Sequence, residues 1–229
     1  MNSPALTPSQ SKIQMRSKAE VIKLLREPGI VAVVRAPRAE LCVPLARALL
    51  AGGVIAVEIT MTTPNAIEAI RTTGRELGKA ALIGVGTVLD AATATAAIEA
   101  GAEFVVSPIT RKEVADAARA MDRPVMLGAY TPTEAQTAHE MGADFIKIFP
   151  ADTLGPAYIK ALRAPLPHLQ IVPTGGVDLN TIGPFLKAGC VAVGAGSSLV
   201  PAEALKNQNW PEITRLAKEF VAAAKAARA

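Results

Sequence analysis

Short apolar runs rich in β-branched residues alternate along the chain with longer stretches in which apolar residues recur every three or four positions. The first pattern belongs to strands covered on both faces, the second to amphipathic helices. A leading helix is predicted over 17–27, with Val21, Leu24 and Leu25 on one side. Strands are predicted at 30–34, 54–60, 81–86, 104–107, 125–127, 145–149, 169–172 and 191–193. Helices fill the gaps: 39–51, then Thr63-Pro64 as cap and first turn of a helix to about Leu77. Asp90 caps one that ends at Gly101, and Thr110 with Glu113 forms a capping box for the next. Thr131-Pro132-Thr133-Glu134 opens a helix closed by Gly142. Gly155-Pro156 and Asp178 open two more, and a last helix covers 211–228.

A weak repeat supports this count. Ala51-Gly52-Gly53-Val54, Ala100-Gly101-Ala102-Glu103, Met141-Gly142-Ala143-Asp144 and Ala188-Gly189-Cys190-Val191 each mark a helix-to-strand turn. They recur roughly every 40 to 50 residues, about two βα units. Eight strands alternating with helices predict an α/β chain folded as a (β/α)8 TIM barrel with a short extra N-terminal helix. An open doubly wound sheet is the alternative topology. The expected organisation is a disordered tail over 1–16, rich in Ser, Pro, Thr and Gln, followed by one barrel domain over 17–229. Met15 is a plausible alternative start.

Composition narrows the picture. Half of the 229 residues are hydrophobic but only 3% are aromatic, so the core has to be built from Ala, Val, Leu and Ile. The apolar runs are strand-length and broken by Gly or Pro, which predicts no membrane span. No early segment reads as a secretory signal, so a cytoplasmic setting is expected. The net charge is +4, with scattered Lys and Arg, which gives no support to nucleic-acid binding. Cys42 and Cys190 have no metal-ligand spacing and suggest no disulfide framework. His139 and His168 have no ligand companions, so no metal and no cofactor are expected. Gly84-Val85-Gly86 is not a dinucleotide motif, because Leu89 stands where the third glycine would fall.

The candidate chemistry centres on Lys147. Strand alternation puts Phe145, Lys147 and Phe149 on one face and Ile146 and Ile148 on the other. Desolvation there disfavours the ammonium, and a neutral amine is what attacks a ketone to form a Schiff base. The plainer reading is a lysine that snorkels to water. Glu58 shares its strand face with Val54, Ala56 and Thr60, and strands two and six stand on opposite walls of an eight-stranded barrel. Glu58 and Lys147 could therefore face each other, as proton shuttle and nucleophile or merely as a neutralising pair. Thr174-Gly175-Gly176 after strand seven and Gly194 to Ser198 after strand eight stand where barrels often hold a phosphate. Tight turns would account for either loop taken separately.

Six segments in order carry a resemblance. They are Val57-Glu58-Ile59-Thr60, Gly84-Val85-Gly86-Thr87-Val88, Ser107-Pro108, Lys147-Ile148-Phe149-Pro150-Ala151, Pro173-Thr174-Gly175-Gly176 and Gly196-Ser197. Over residues 18–225 the chain resembles the 2-keto-3-deoxy-6-phosphogluconate aldolase family, which includes phosphogalactonate and 4-hydroxy-2-oxoglutarate aldolases. The resemblance implies a metal-free class I aldolase on a (β/α)8 barrel, a homotrimer, acting on a small keto acid. It implies Lys147 as the Schiff-base lysine and Glu58 as the proton shuttle. Arg35 and Thr87 would hold the carboxylate, and Pro108 and Phe149 would shape the pyruvate pocket. Thr174, Gly175, Gly176, Gly196 and Ser197 would receive the phosphate. Phosphogluconate members carry an arginine four residues after the glutamate, where this chain has Thr62. Phosphogalactonate members lack it and lean on the arginine after strand one, matched here by Arg35. Two other classes stay open from the residues: a phosphosugar epimerase or isomerase on the same barrel, and a non-catalytic phosphosugar-binding barrel.

Overall fold

Eight parallel strands form one sheet, in which the first seven follow one another in chain order, each hydrogen-bonded to its neighbour, and the eighth pairs with the first. They are β1 (Ile30–Val34), β2 (Ala56–Thr60), β3 (Leu82–Gly86), β4 (Val105–Val106), β5 (Val125–Ala129), β6 (Phe145–Ile148), β7 (Ile171–Pro173) and β8 (Val193–Ala195). The structure, a computed structural model, describes residues 15–229. Of the tail predicted over 1–16, residues 1–14 lie outside the described residues. A parallel bridge between Thr174 and Gly194 brings β7 to β8, and the Val191 N–H donates to Ile171 O at 3.0 Å. The sheet is thereby curled into the (β/α)8 barrel that the alternation predicts.

The alternating pattern sorts side chains into two cores. Outward-facing residues such as Val57, Ile59, Ile146 and Ile148 pack beneath the surrounding helices. Inward-facing Ala56, Leu82, Phe104, Val106, Met126 and Phe145 fill the lower barrel together with Val21 and Leu25. Those last two belong to α1 (Lys18–Arg26), which the Ser17/Glu20 capping box starts and which closes the N-terminal end of the barrel. Its predicted apolar side is therefore a plug. Val54 is the exception to the predicted face. It precedes β2, so the alternation does not yet apply, and it packs in the outer core.

The outer helices are α2 (Cys42–Ala51), α3 (Ala66–Leu77), α4 (Ala91–Glu99), α5 (Lys112–Ala120), α6 (Pro132–Glu140), α7 (Gly155–Arg163), α8 (Ile182–Lys187), α9 (Ala202–Lys206) and α10 (Trp210–Arg228). Asp90 and the Thr131/Glu134 box cap α4 and α6 as predicted. Other starts differ. The Thr63 hydroxyl is committed to accepting from the Ala36 N–H, and α3 begins only after Asn65. The Thr110 hydroxyl donates to Gly128 O, so α5 starts after Arg111 without a side-chain cap. Asp178 accepts from the N–H groups of Asn180 and Thr181 and so builds a turn ahead of α8. Residues 191–193 were predicted as the eighth strand, which in fact starts at Val193, and α9 has no counterpart in the predicted pattern.

Candidate active site

The strand register sets the geometry. Glu58 on β2 stands level with Val33 on β1 and Gly84 on β3, and Lys147 on β6 stands level with Gly128 on β5 and Val172 on β7. Both point into the barrel above the layer of Phe104 and Phe145. Their facing positions bring Lys147 Nζ to 4.0 Å from Glu58 Oε1, with side chains 5% and 3% exposed. At that distance no direct hydrogen bond is made. Glu58 Oε1 is buried and has no hydrogen-bond partner among the described residues. A buried acceptor left open is costly, and such costs concentrate where a ligand or a proton is to be received.

Other residues complete the wall. Lys147 Nζ lies 5.1 Å from the centre of the Phe149 ring, which holds the amine against an aromatic face. Pro108, after β4, presses its backbone over Gly128, where an added Cβ would come within 2.1 Å of the Pro108 carbonyl carbon. The Pro108 loop therefore overhangs the strand position beside Lys147. Gly86 has a comparable reason. A Cβ there would meet Glu58 Oε1 at 1.9 Å, so only glycine leaves room for the carboxylate. The sequence reading gives Gly86 no role of its own: it falls in the rejected dinucleotide motif and in one segment of the resemblance. Its place one strand over and two residues above the level of Glu58 is the signal that could have found it. Thr87 follows at φ +60, a conformation that a β-branched residue adopts only under constraint.

Arg35, Phe149, Thr174, Gly175, Gly176, Gly196 and Ser197 line one cleft of about 110 Å3 at the C-terminal end of the barrel. Gly175 and Gly176 have φ of +91 and +67, left-handed conformations that favour glycine. Thr174 is buried at the base of the cleft, its hydroxyl against Gly194. The predicted residues thus fall into two groups that meet at Phe149. Arg35 joins the glycine loops rather than Thr87 and Pro108, with which it was grouped from the sequence. Its side chain is exposed and, among the described residues, makes no ion pair.

Elsewhere the chemistry is quiet. Burial pushes the thiols of Cys42 and Cys190 up to about 12, which leaves both unreactive. His139 and His168 do meet, with ring centres 4.8 Å apart, but among the described residues no three His, Cys, Asp or Glu side chains could hold a metal ion. Among the same residues no helix is long and apolar enough to cross a membrane.

A family model described as "Aldolase: KDPG and KHG aldolase" matches residues 21–216. The chain is 36% identical to a 2-dehydro-3-deoxy-phosphogluconate aldolase of Pseudomonas aeruginosa, over 88% of this chain and 91% of the relative. It is 35% identical to a KHG/KDPG aldolase of Escherichia coli K12, covering 91% of this chain and 98% of that one. Among solved structures, KDPG aldolase from Legionella pneumophila, with pyruvate captured as a covalent carbinolamine intermediate, superimposes with a TM-score of 0.79 at 32% identity, covering 87% of this chain and 97% of the other. A native KDPGal structure gives 0.81 at 34% identity, with 87% and 95% covered.

Proposed function

The chain belongs to the KDPG and KHG aldolase family and is a class I aldolase, a carbon–carbon lyase; from that premise we propose that it cleaves 2-keto-3-deoxy-6-phosphogluconate to pyruvate and glyceraldehyde 3-phosphate, with Lys147 as the Schiff-base residue. The observation that carries this reading is the buried Lys147 amine beside a carboxylate whose Oε1 has no partner. Membership in an aldolase family sets aside the isomerase and the silent-barrel alternatives.

The Lys147 amine attacks the C2 ketone, and the carbinolamine loses water to give an iminium. Glu58 accepts the proton of the C4 hydroxyl, directly or through water. The C3–C4 bond then breaks, its electron pair moves toward the iminium nitrogen as an enamine, and the aldehyde leaves. Glu58 returns the proton to C3, and water hydrolyses the resulting iminium to release pyruvate and the free amine. Pro108 and Phe149 shape the three-carbon pocket, and Thr87 faces the carboxylate end. The cleft formed by Thr174, Gly175, Gly176, Gly196 and Ser197 takes the phosphate, with Arg35 as its cation. Cleavage of 4-hydroxy-2-oxoglutarate to pyruvate and glyoxylate would use the same pair without the cleft. A cytoplasmic homotrimer, as the resemblance implies, belongs to the same proposal.

Borohydride reduction in the presence of pyruvate, followed by peptide mass mapping, tests the central step. A reduced pyruvyl adduct on Lys147 is expected. A folded protein that gains no adduct there would remove Lys147 from the mechanism.

A further inference from the structure

Beside the glycine cleft lies a larger cavity, about 560 Å3, that none of these steps uses. The two chambers share Val33, Arg35, Gly196 and Ser197, so Arg35 stands on their common wall. On its other sides the large cavity is lined by Arg38, from the connection between β1 and α2, and by Lys206 at the end of α9, with Leu41 and Val200 on the apolar wall. Among the described residues, Arg35, Arg38 and Lys206 make no ion pair. This sets them apart from the helix-surface residues Arg47, Arg71, Arg111, Arg119 and Arg215, each of which has a carboxylate partner. Glu203 is the one carboxylate in the lining, and it accepts from Asn207 Nδ2 at 3.5 Å rather than from any of the three cations. A recess with an excess of unpaired positive charge focuses its field on an anion.

We infer that this cavity is a second anion subsite, continuous with the glycine cleft, for short organic phosphates that carry another anionic group. The phosphate sits in the cleft beside Arg35, and the other anion lies between Arg38 and Lys206. The inference rests on the reading of the glycine cleft as the phosphate site. A keto acid substrate is tethered through C2 to Lys147 and leaves the second chamber empty. A phosphate that carries a second anionic group and forms no Schiff base is free to turn outward into it. Because both chambers use Arg35, such a ligand competes with substrate, which makes the subsite a point of inhibition by phosphorylated carboxylic acids.

Competitive inhibition of pyruvate release tests this with two probes of equal chain length, 3-phosphoglycerate and glycerol 3-phosphate. In the native protein 3-phosphoglycerate should inhibit about tenfold more tightly, the gain expected from pairing one further anion with charged donors. In the Arg38→Ala/Lys206→Ala variant that difference should fall below about twofold, with kcat and KM for the keto acid also within about twofold of native. Equal inhibition by the two probes in the native protein overturns the subsite. So does a difference that survives in the variant, since the carboxylate would then be turned inward toward Lys147. If glycerol 3-phosphate does not compete at all, the glycine cleft is not the phosphate site, and the inference falls with that reading.

Discussion

Among the described residues two ion pairs have both side chains buried, one at each end of the barrel: Arg16–Glu103 below and Lys147–Glu58 above. They are alike in charge and nearly alike in exposure, 9% and 8% against 5% and 3%. They differ in how fully they are satisfied. Arg16 donates to Glu103 and also to Ala81 O at 3.2 Å and Lys79 O at 2.6 Å. Its backbone N–H donates to Glu103 Oε2 at 2.9 Å, and Arg123 donates to its carbonyl at 2.8 Å. The upper pair has a 4.0 Å gap and an open carboxylate oxygen. Desolvating two charges is repaid only when the remaining donors and acceptors are filled. The lower pair meets that condition and seals the plugged end of the barrel. The upper pair does not, and its unmet capacity is what a substrate would fill.

Neutralising the upper pair has the largest expected effect. The double variant Lys147→Met/Glu58→Gln removes the proposed nucleophile and the proposed proton carrier together, and kcat should fall by about 10^4 or more. Its thermal midpoint should be no lower than native, because replacing a buried pair by neutral groups of similar size is often neutral or stabilising. Pyruvate release and a thermal melt read the two quantities. A variant that is inactive because it no longer folds would deny the upper pair its separate role.

The lower pair should respond the other way. Arg16→Met leaves Glu103 buried without its partner and takes the donors from Ala81 O and Lys79 O. The cost is about 3–5 kcal/mol. For a chain of this length that is a fall in midpoint of roughly 6–20 °C. Turnover at a temperature where the variant is still folded should stay within about twofold of native, since Arg16 touches nothing at the mouth of the barrel. An intact midpoint would mean that the plug is held by Val21 and Leu25 alone.

This contrast also separates what the sequence made legible from what it did not. Lys147 and Glu58 could be placed face to face because strand alternation is periodic and barrel walls are symmetric, so two short apolar patterns fix both side chains. The Arg16–Glu103 pair had no such signal: Arg16 looked like the end of a polar tail, and Glu103 like one more residue in a repeated turn. Its partners are carbonyls brought in by the fold. The same limit explains the misread helix starts. Thr63 and Thr110 have the right identity and spacing for caps, but their hydroxyls are used across the structure, on Ala36 and Gly128. Local patterns reveal which residues could cap, and only the tertiary fold decides what each one meets.

Arg35 gives the smallest and most discriminating test, because it is the counterpart of Arg16 at the open end. Arg16 is buried and saturated, whereas Arg35 is exposed and unpaired on the wall of the glycine cleft. Sequence resemblance gives it the substrate carboxylate, and the geometry groups it with the glycine loops. Arg35→Ala should raise KM for the phosphorylated keto acid about tenfold or more, about 1.4 kcal/mol, with a much smaller change in kcat. The assignment is decided by 4-hydroxy-2-oxoglutarate, which has the carboxylate next to the ketone but no phosphate. If Arg35 serves the phosphate, KM for that substrate changes by less than about twofold. If it serves the carboxylate, both KM values rise together. Should neither move, Arg35 belongs to neither end of the substrate, and the unpaired charge at the mouth is left to the second chamber.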